Sequence, residues 1–109
     1  AGAAPDARTY DALAAPLARR GRLRMAFKYF AECKRSGITP LASTYEALIE
    51  GFFKEQQRAA AYTLIAEMKQ KGLVPGPGAY GAALADRARR GELWEARALL
   101  AEGRAAGLA

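Results

Sequence analysis

Arg19, Lys54 and Arg89 follow one another at intervals of 35 residues, and of all the groups in this 109-residue chain they are the ones whose type and spacing could do chemistry. Held as a ladder along one surface, they would meet successive phosphates of a single-stranded polyanion with little regard to its sequence. At the ends of helices they would also interact favourably with the helix dipole while staying solvated. Arg20, Arg22 and Arg24 add charge beside the first rung. Seventeen Lys and Arg against eleven Asp and Glu give a formal net charge of +6, a balance suited to RNA or to an acidic protein surface. The excess is uneven: residues 7–41 carry net +6, residues 42–76 net 0 and residues 77–109 net +1. A basic patch at one end makes an anchor point rather than a uniform track.

Catalytic chemistry lacks its parts. With no His, a single Cys and no carboxylates at metal-ligand spacing, there is no triad, zinc site or general-base pair to assemble, so no enzymatic activity, cofactor or small-molecule substrate is expected. Asp11 and Glu46 occupy equivalent places one interval apart and read as groove residues rather than an acid–base pair. Gly76-Pro77-Gly78 is a bend, since no Gly-Lys-Ser/Thr follows to make a phosphate loop. Cys33 excludes an internal disulfide, and its apolar neighbours make it a small buried thiol. No run approaches the roughly 18 to 20 apolar residues of a membrane span. The start, Ala1-Gly2-Ala3-Ala4-Pro5-Asp6, has neither an initiator Met nor a signal pattern, which fits a removed targeting segment or a piece of something longer.

The elements that must position these residues follow from the same interval. It relates Tyr10, Tyr45 and Tyr80; Ala26, Ala61 and Ala96; Glu32, Glu67 and Glu102; and Gly37, Gly72 and Gly107. A fixed period of this size marks a stack of supersecondary units, each needing its neighbours to bury its apolar face. Tyr10, Leu13, Ala14 and Leu17 fall at helical spacing, as do Tyr45, Leu48, Ile49 and Phe52; after a break come Leu23, Ala26, Phe27 and Phe30, then Ala61, Tyr62, Ile65 and Met68. Each unit is therefore a hairpin of two helices, with the small alanines at 26, 61 and 96 admitting close approach. Gly37, Gly72 and Gly107 sit where left-handed caps end the second helices, and Pro40 and Pro75 prevent continuation. Ser43 and Glu46 have the spacing of a capping box that would start the middle unit. Pro16, inside the first helix, removes a backbone donor and should kink or loosen it near Ala12. Lys34, Lys69 and Arg104 recur late in the second helices and read as solvated charge on the outer face.

The shared pattern is T-Y-x-A-L at Thr9–Leu13 and Thr44–Leu48, A-x-x-x-x-A-E ending at Glu32 and Glu67, and G-[IL]-x-P closing at Pro40 and Pro75. In this the chain resembles the pentatricopeptide repeat family; the tetratricopeptide repeat has a period of 34 and other small and aromatic positions. The resemblance implies an all-α fold, a right-handed α-solenoid of helix-turn-helix hairpins. Its boundaries would be a lead-in over residues 1–6, repeats at 7–41 and 42–76, and a truncated third repeat at 77–109, together one domain. It further implies a mitochondrial or plastid home and binding of single-stranded RNA at one base per repeat, with the ladder cations lining the groove.

By the same resemblance, bases are read by the residue after each Tyr, here Asp11, Glu46 and Gly81, with the residue after the closing Pro, here Leu41 and Gly76. The base-sandwiching position two residues before the Tyr holds Arg8, Ser43 and Gly78. All depart from the family pattern: Leu41 and Gly76 offer a base edge no side-chain hydrogen bond, and Asp11 and Glu46 place negative charge beside a phosphate chain. The expected function is thus a non-catalytic module that binds RNA mainly through its backbone, with weak base preference. The alternative is a scaffold docking by protein contacts in a larger organellar assembly such as a ribosome, polymerase or photosynthetic complex. For that role the final hairpin supplies Leu93, Trp94, Leu99, Leu100 and Leu108, more apolar surface than one neighbouring repeat can bury.

Overall fold

A computed structural model of the chain describes residues 4–107; residues 1–3 and 108–109, Leu108 among them, lie outside the described part. The described residues form six helices and no strand: α1 Ala7–Arg19, α2 Leu23–Arg35, α3 Ala42–Lys54, α4 Arg58–Gln70, α5 Pro77–Arg89 and α6 Leu93–Ala105. Consecutive helices pair as hairpins. The first helices α1, α3 and α5 also pack on one another in a row, while the second helices make no such backbone approach among themselves. The result is an all-α solenoid, 53 × 27 × 19 Å.

One local device ends most of these helices. The N–H of the third residue beyond the helix reaches back to a carbonyl in its last turn, as Arg22 does to Leu17 (2.9 Å), Gln57 to Phe52 (2.8 Å) and Leu73 to Met68 (2.9 Å). This closure needs a left-handed residue just before the donor. Glycine supplies it after each second helix, at Gly37, Gly72 and Gly107, and at Gly21 and Gly91 in two of the hairpin turns. Gln56 fills the equivalent place in the middle hairpin at φ 62°, where a side chain is strained.

Two sequence expectations need correction or refinement here. Ser43 and Glu46 form no capping box: α3 starts at Ala42 after an extended Leu41, so Ser43 already lies inside the helix. Its hydroxyl donates instead to Asp11 (2.9 Å), as does that of Thr44 (2.6 Å). A carboxylate from the preceding hairpin serves the first turn of α3, which has no acid of its own. Helix α1 runs on through Pro16. Pro16 and Ala12 are both exposed, so the carbonyl that lost its donor is open to water. The helix begins on Asp6, whose carboxylate accepts from the Thr9 N–H at 3.0 Å.

The core is thickest in the middle. Tyr45, Phe30, Leu48, Ile49, Met68 and Cys33 are wholly buried, and burial pushes the Cys33 thiol pKa up. Phe30 meets Tyr45 edge-on at 5.0 Å between ring centroids. Ala26 and Ala61 are fully enclosed and Ala96 nearly so. Tyr10 is buried like Tyr45, but Tyr80 is half-buried, because no hairpin packs on the far side of α5 and α6 among the described residues. The same lack leaves Leu93 (67%), Trp94 (81%) and Leu100 (40%) exposed at that end.

Candidate nucleic-acid interface

Arg19, Lys54 and Arg89 are the last residues of α1, α3 and α5, the three helices that pack in a row. All three are exposed, and none takes part in an ion pair among the described residues. Two adjoining hollows connect them. One of about 310 Å³ has Arg19 and Lys54 on its wall; the next, about 260 Å³, has Lys54 and Arg89. The two hollows share Glu50 and Lys54, so the row of first helices carries one furrow edged by the three cations, with the Glu46 and Glu50 carboxylates in its wall. Arg20 and Arg22 are exposed in the turn after α1, whereas Arg24 faces a separate cleft beside Phe27 and Phe52 on the second-helix side. Arg24 is not part of the furrow.

The positions matched to base reading have other engagements. The Asp11 carboxylate is held by Ser43 and Thr44. Glu46 and Glu50 lie on α3 against the start of α5, their carboxylates in the space that a Cβ at Gly76 or Gly78 would occupy. Helix α5 opens on Gly76 and Pro77 with no side-chain cap and no acid in its first turn, so these carboxylates face an uncompensated positive helix end. Asp11 and Glu46 thus do the same thing one hairpin apart: each serves the start of the next first helix. Leu41 and Arg8 are exposed, and Gly81 has open space where a side chain would be.

Elsewhere the structure shows contacts that sequence reasoning missed. Lys34 and Lys69 are not free surface charges: Lys34 pairs with Glu67 (2.8 Å) and Lys69 with Glu102 (2.7 Å), joining successive second helices. Glu67 also takes the Tyr45 hydroxyl from its own hairpin. Burial alone would raise the Glu67 pKa, but the bonds from Lys34 and Tyr45 outweigh it and hold the carboxyl below its ordinary range. Burial and the Glu102 carboxylate push the Tyr80 phenol up to about 12.

The joints between hairpins differ in kind. At the first, the Leu23 side chain sits where Gly51 has no Cβ; one placed there would lie 2.5 Å from Leu23 Cδ2. One interval on, the pair is Arg58 and Asp86, joined at 2.9 Å with Asp86 buried. Tyr62 donates to the same carboxylate at 2.9 Å, and Glu92 accepts from both Arg58 and Arg87 at 2.8 Å. Burial raises the Asp86 pKa less than Arg58 and Tyr62 lower it, so it too stays ionised below the usual carboxylate range.

Among the described residues no group of His, Cys, Asp and Glu could hold a metal ion, and no helix is long and apolar enough to cross a membrane. The pentatricopeptide repeat domain model matches residues 1–50 and 29–84, so the chain belongs to the pentatricopeptide repeat family. No curated protein matches its sequence. Among solved structures it is similar to PPR10 in complex with an 18-nt psaJ RNA element, at 28% identity and a TM-score of 0.77 over 99% of this chain and 16% of that one. It is also similar to PPR10 from maize, at 28% identity and a TM-score of 0.69 over 93% of this chain and 14% of that one. The chain thus spans less than a fifth of the length of the proteins it matches.

Proposed function

We propose that the three hairpins, residues 7–41, 42–76 and 77–109, act as one non-catalytic module of an organellar protein, mitochondrial or plastid, that binds single-stranded RNA through its backbone. The observation that carries this reading is the exposed row of Arg19, Lys54 and Arg89 along one furrow of the first helices. The similarity to PPR10 held in an RNA complex supports it. Base preference is weak in this reading because the carboxylates at the matched positions are engaged within the fold and Leu41, Gly76 and Gly81 have no polar side chain to offer. Fluorescence anisotropy with labelled homopolymer oligonucleotides across a salt series tests it. Replacing Arg19, Lys54 and Arg89 with Gln removes up to three phosphate contacts, so the slope of log affinity against log salt should flatten by about 2, similarly for every base. Unchanged affinity and slope would reduce the three cations to helix-end charges.

A second reading, a scaffold docked by protein contacts in a larger organellar assembly, is favoured by the apolar side chains left at the third hairpin. Trp94 and Leu100 are exposed, while Leu99 is half-buried against the core. If the oligonucleotides fail to bind and Trp94→Ala releases the module from a purified assembly, this reading replaces the first.

A further inference from the structure

The first and second hairpins hold between them, on the second-helix side, a cleft of about 480 Å³ walled by Leu23, Phe27, Phe52 and Ala60 with two polar side chains, Arg24 and Gln57. One interval on, the equivalent positions hold Arg58, Tyr62, Arg87 and Glu95, with Ala59 and Glu92. There the fold closes the place with its own side chains: Glu92 accepts from Arg58 and Arg87, each at 2.8 Å, and the Arg87 guanidinium lies over the Tyr62 ring, 4.2 Å from its centroid. The first cleft has Leu23, Phe52 and Gln57 where those three charged groups stand, and it stays open. Phe27 packs on Phe30 and edge-on against Phe52 at 6.1 Å, yet remains 42% exposed. The charges differ as well. The second place balances two guanidiniums with two carboxylates, whereas Arg24 is the one ionised group lining the first. It is exposed and takes part in no ion pair among the described residues. Lys28, also exposed, follows it by one helical turn of α2. Glu55, just past α3, lies against the Gly21 turn instead.

We propose that this cleft is a docking site for an acidic polypeptide segment of a partner protein, one that carries a large apolar side chain beside a carboxylate. The apolar side chain enters against Phe27 and Phe52, and the carboxylate pairs with Arg24, supplying from outside the acid that Glu92 supplies from within one interval on. A nucleotide is the poorer fit. With Arg24 on its phosphate, the polar edges of its base would have Gln57 alone to bond them, whereas a leucine or phenylalanine side chain leaves nothing unsatisfied. The cleft is separate from the furrow of Arg19, Lys54 and Arg89, so the site does not depend on the RNA reading.

Fluorescence anisotropy of the 109-residue chain with a short labelled peptide built of Glu, Phe and Ser tests this, beside counterparts with Gln for Glu and with Ala for Phe. The parent peptide should bind, and each counterpart should bind about tenfold or more weakly. Arg24→Glu changes an exposed side chain in the first turn of α2, where an acid suits the helix end, so the thermal melt should hold. It should weaken the Glu-Phe peptide by about tenfold or more and strengthen a Lys-Phe peptide by a similar factor. Replacing Arg19, Lys54 and Arg89 with Gln, at a salt level that screens the net +6 charge, should leave peptide binding within about twofold. No binding of the Glu-Phe peptide, equal binding of its Ala counterpart, or failure of Arg24→Glu to reverse the charge preference overturns the proposal. Loss of oligonucleotide binding in Arg24→Glu, with peptide binding untouched, overturns it in favour of RNA.

Discussion

Replacing Asp86 with Gly gives the second joint the seat that the first joint already has, but leaves the wrong side chain above it. The buried carboxylate that accepts from Arg58 and Tyr62 disappears. No donor is orphaned: Arg58 keeps Glu92 at 2.8 Å, Tyr62 can turn wholly to the Ala83 carbonyl at 3.3 Å, and Arg90, 3.5 Å from Asp86, is exposed to water. The loss is therefore that of charge-assisted bonds rather than of stranded groups, about 1–2 kcal/mol. A glycine inside α5 costs about 1 kcal/mol more, so Asp86→Gly should destabilise by about 2–3 kcal/mol. Adding Arg58→Leu then copies Leu23 over Gly51. Burying that leucine regains about 1.5–2 kcal/mol, while Glu92 retains Arg87 at 2.8 Å. The double variant should come within about 1 kcal/mol of the parent and lose the parent's salt sensitivity at this joint. Urea denaturation followed by far-ultraviolet circular dichroism, at low and high salt, measures both effects. If the double variant is no more stable than Asp86→Gly alone, the two joints are not alternative solutions to one packing problem.

Gln56→Gly should stabilise the chain by about 0.5–1 kcal/mol, since it removes a side chain from the left-handed conformation that Gly21 and Gly91 adopt in the other two turns. A lower urea midpoint would contradict it. Lowering pH should destabilise the solenoid. Glu67 and Asp86 titrate below their ordinary range when folded, so their contribution is complete above the unfolded values and is lost as pH falls from about 4.5 through the folded values. Asp86→Asn with Glu67→Gln should flatten that acid limb of a urea-midpoint profile, and an unaltered limb would place the titrating groups elsewhere.

Much of this was legible because a repeat states its rules more than once. The six helices, the glycine closures after the second helices and the burial of Tyr10 and Tyr45 follow from spacing that recurs, whereas Tyr80 at the third place is only half-buried. The joints were less legible because they depend on which non-repeating residues meet across hairpins. Leu23 with Gly51 and Arg58 with Asp86 are compensating changes one interval apart, but positions 23 and 51 must be known as neighbours before the exchange can be seen. Ser43 misled for a related reason: a local capping motif lost to a carboxylate 32 residues earlier in the chain. Lys34 and Lys69 looked like solvated charge because nothing local shows that each reaches the glutamate of the next hairpin.

Equal length makes tandem units look exchangeable, yet the unlike joints of this chain give its hairpins a fixed order. Deleting residues 42–76 would preserve the period and every helix boundary that remained, but it would set Leu23 against Asp86 and take from that buried carboxylate both Arg58 and Tyr62, leaving it Arg90 alone at 3.5 Å. Duplicating the same segment would place Arg58 over Gly51, where no acid waits. Loss or gain of a single unit, the commonest way for repeat arrays to change length, is therefore penalised here unless both sides of the new junction change together. The middle hairpin receives an apolar knob on one side and presents a charged one on the other. It works as an adaptor, and its neighbours cannot exchange places without it.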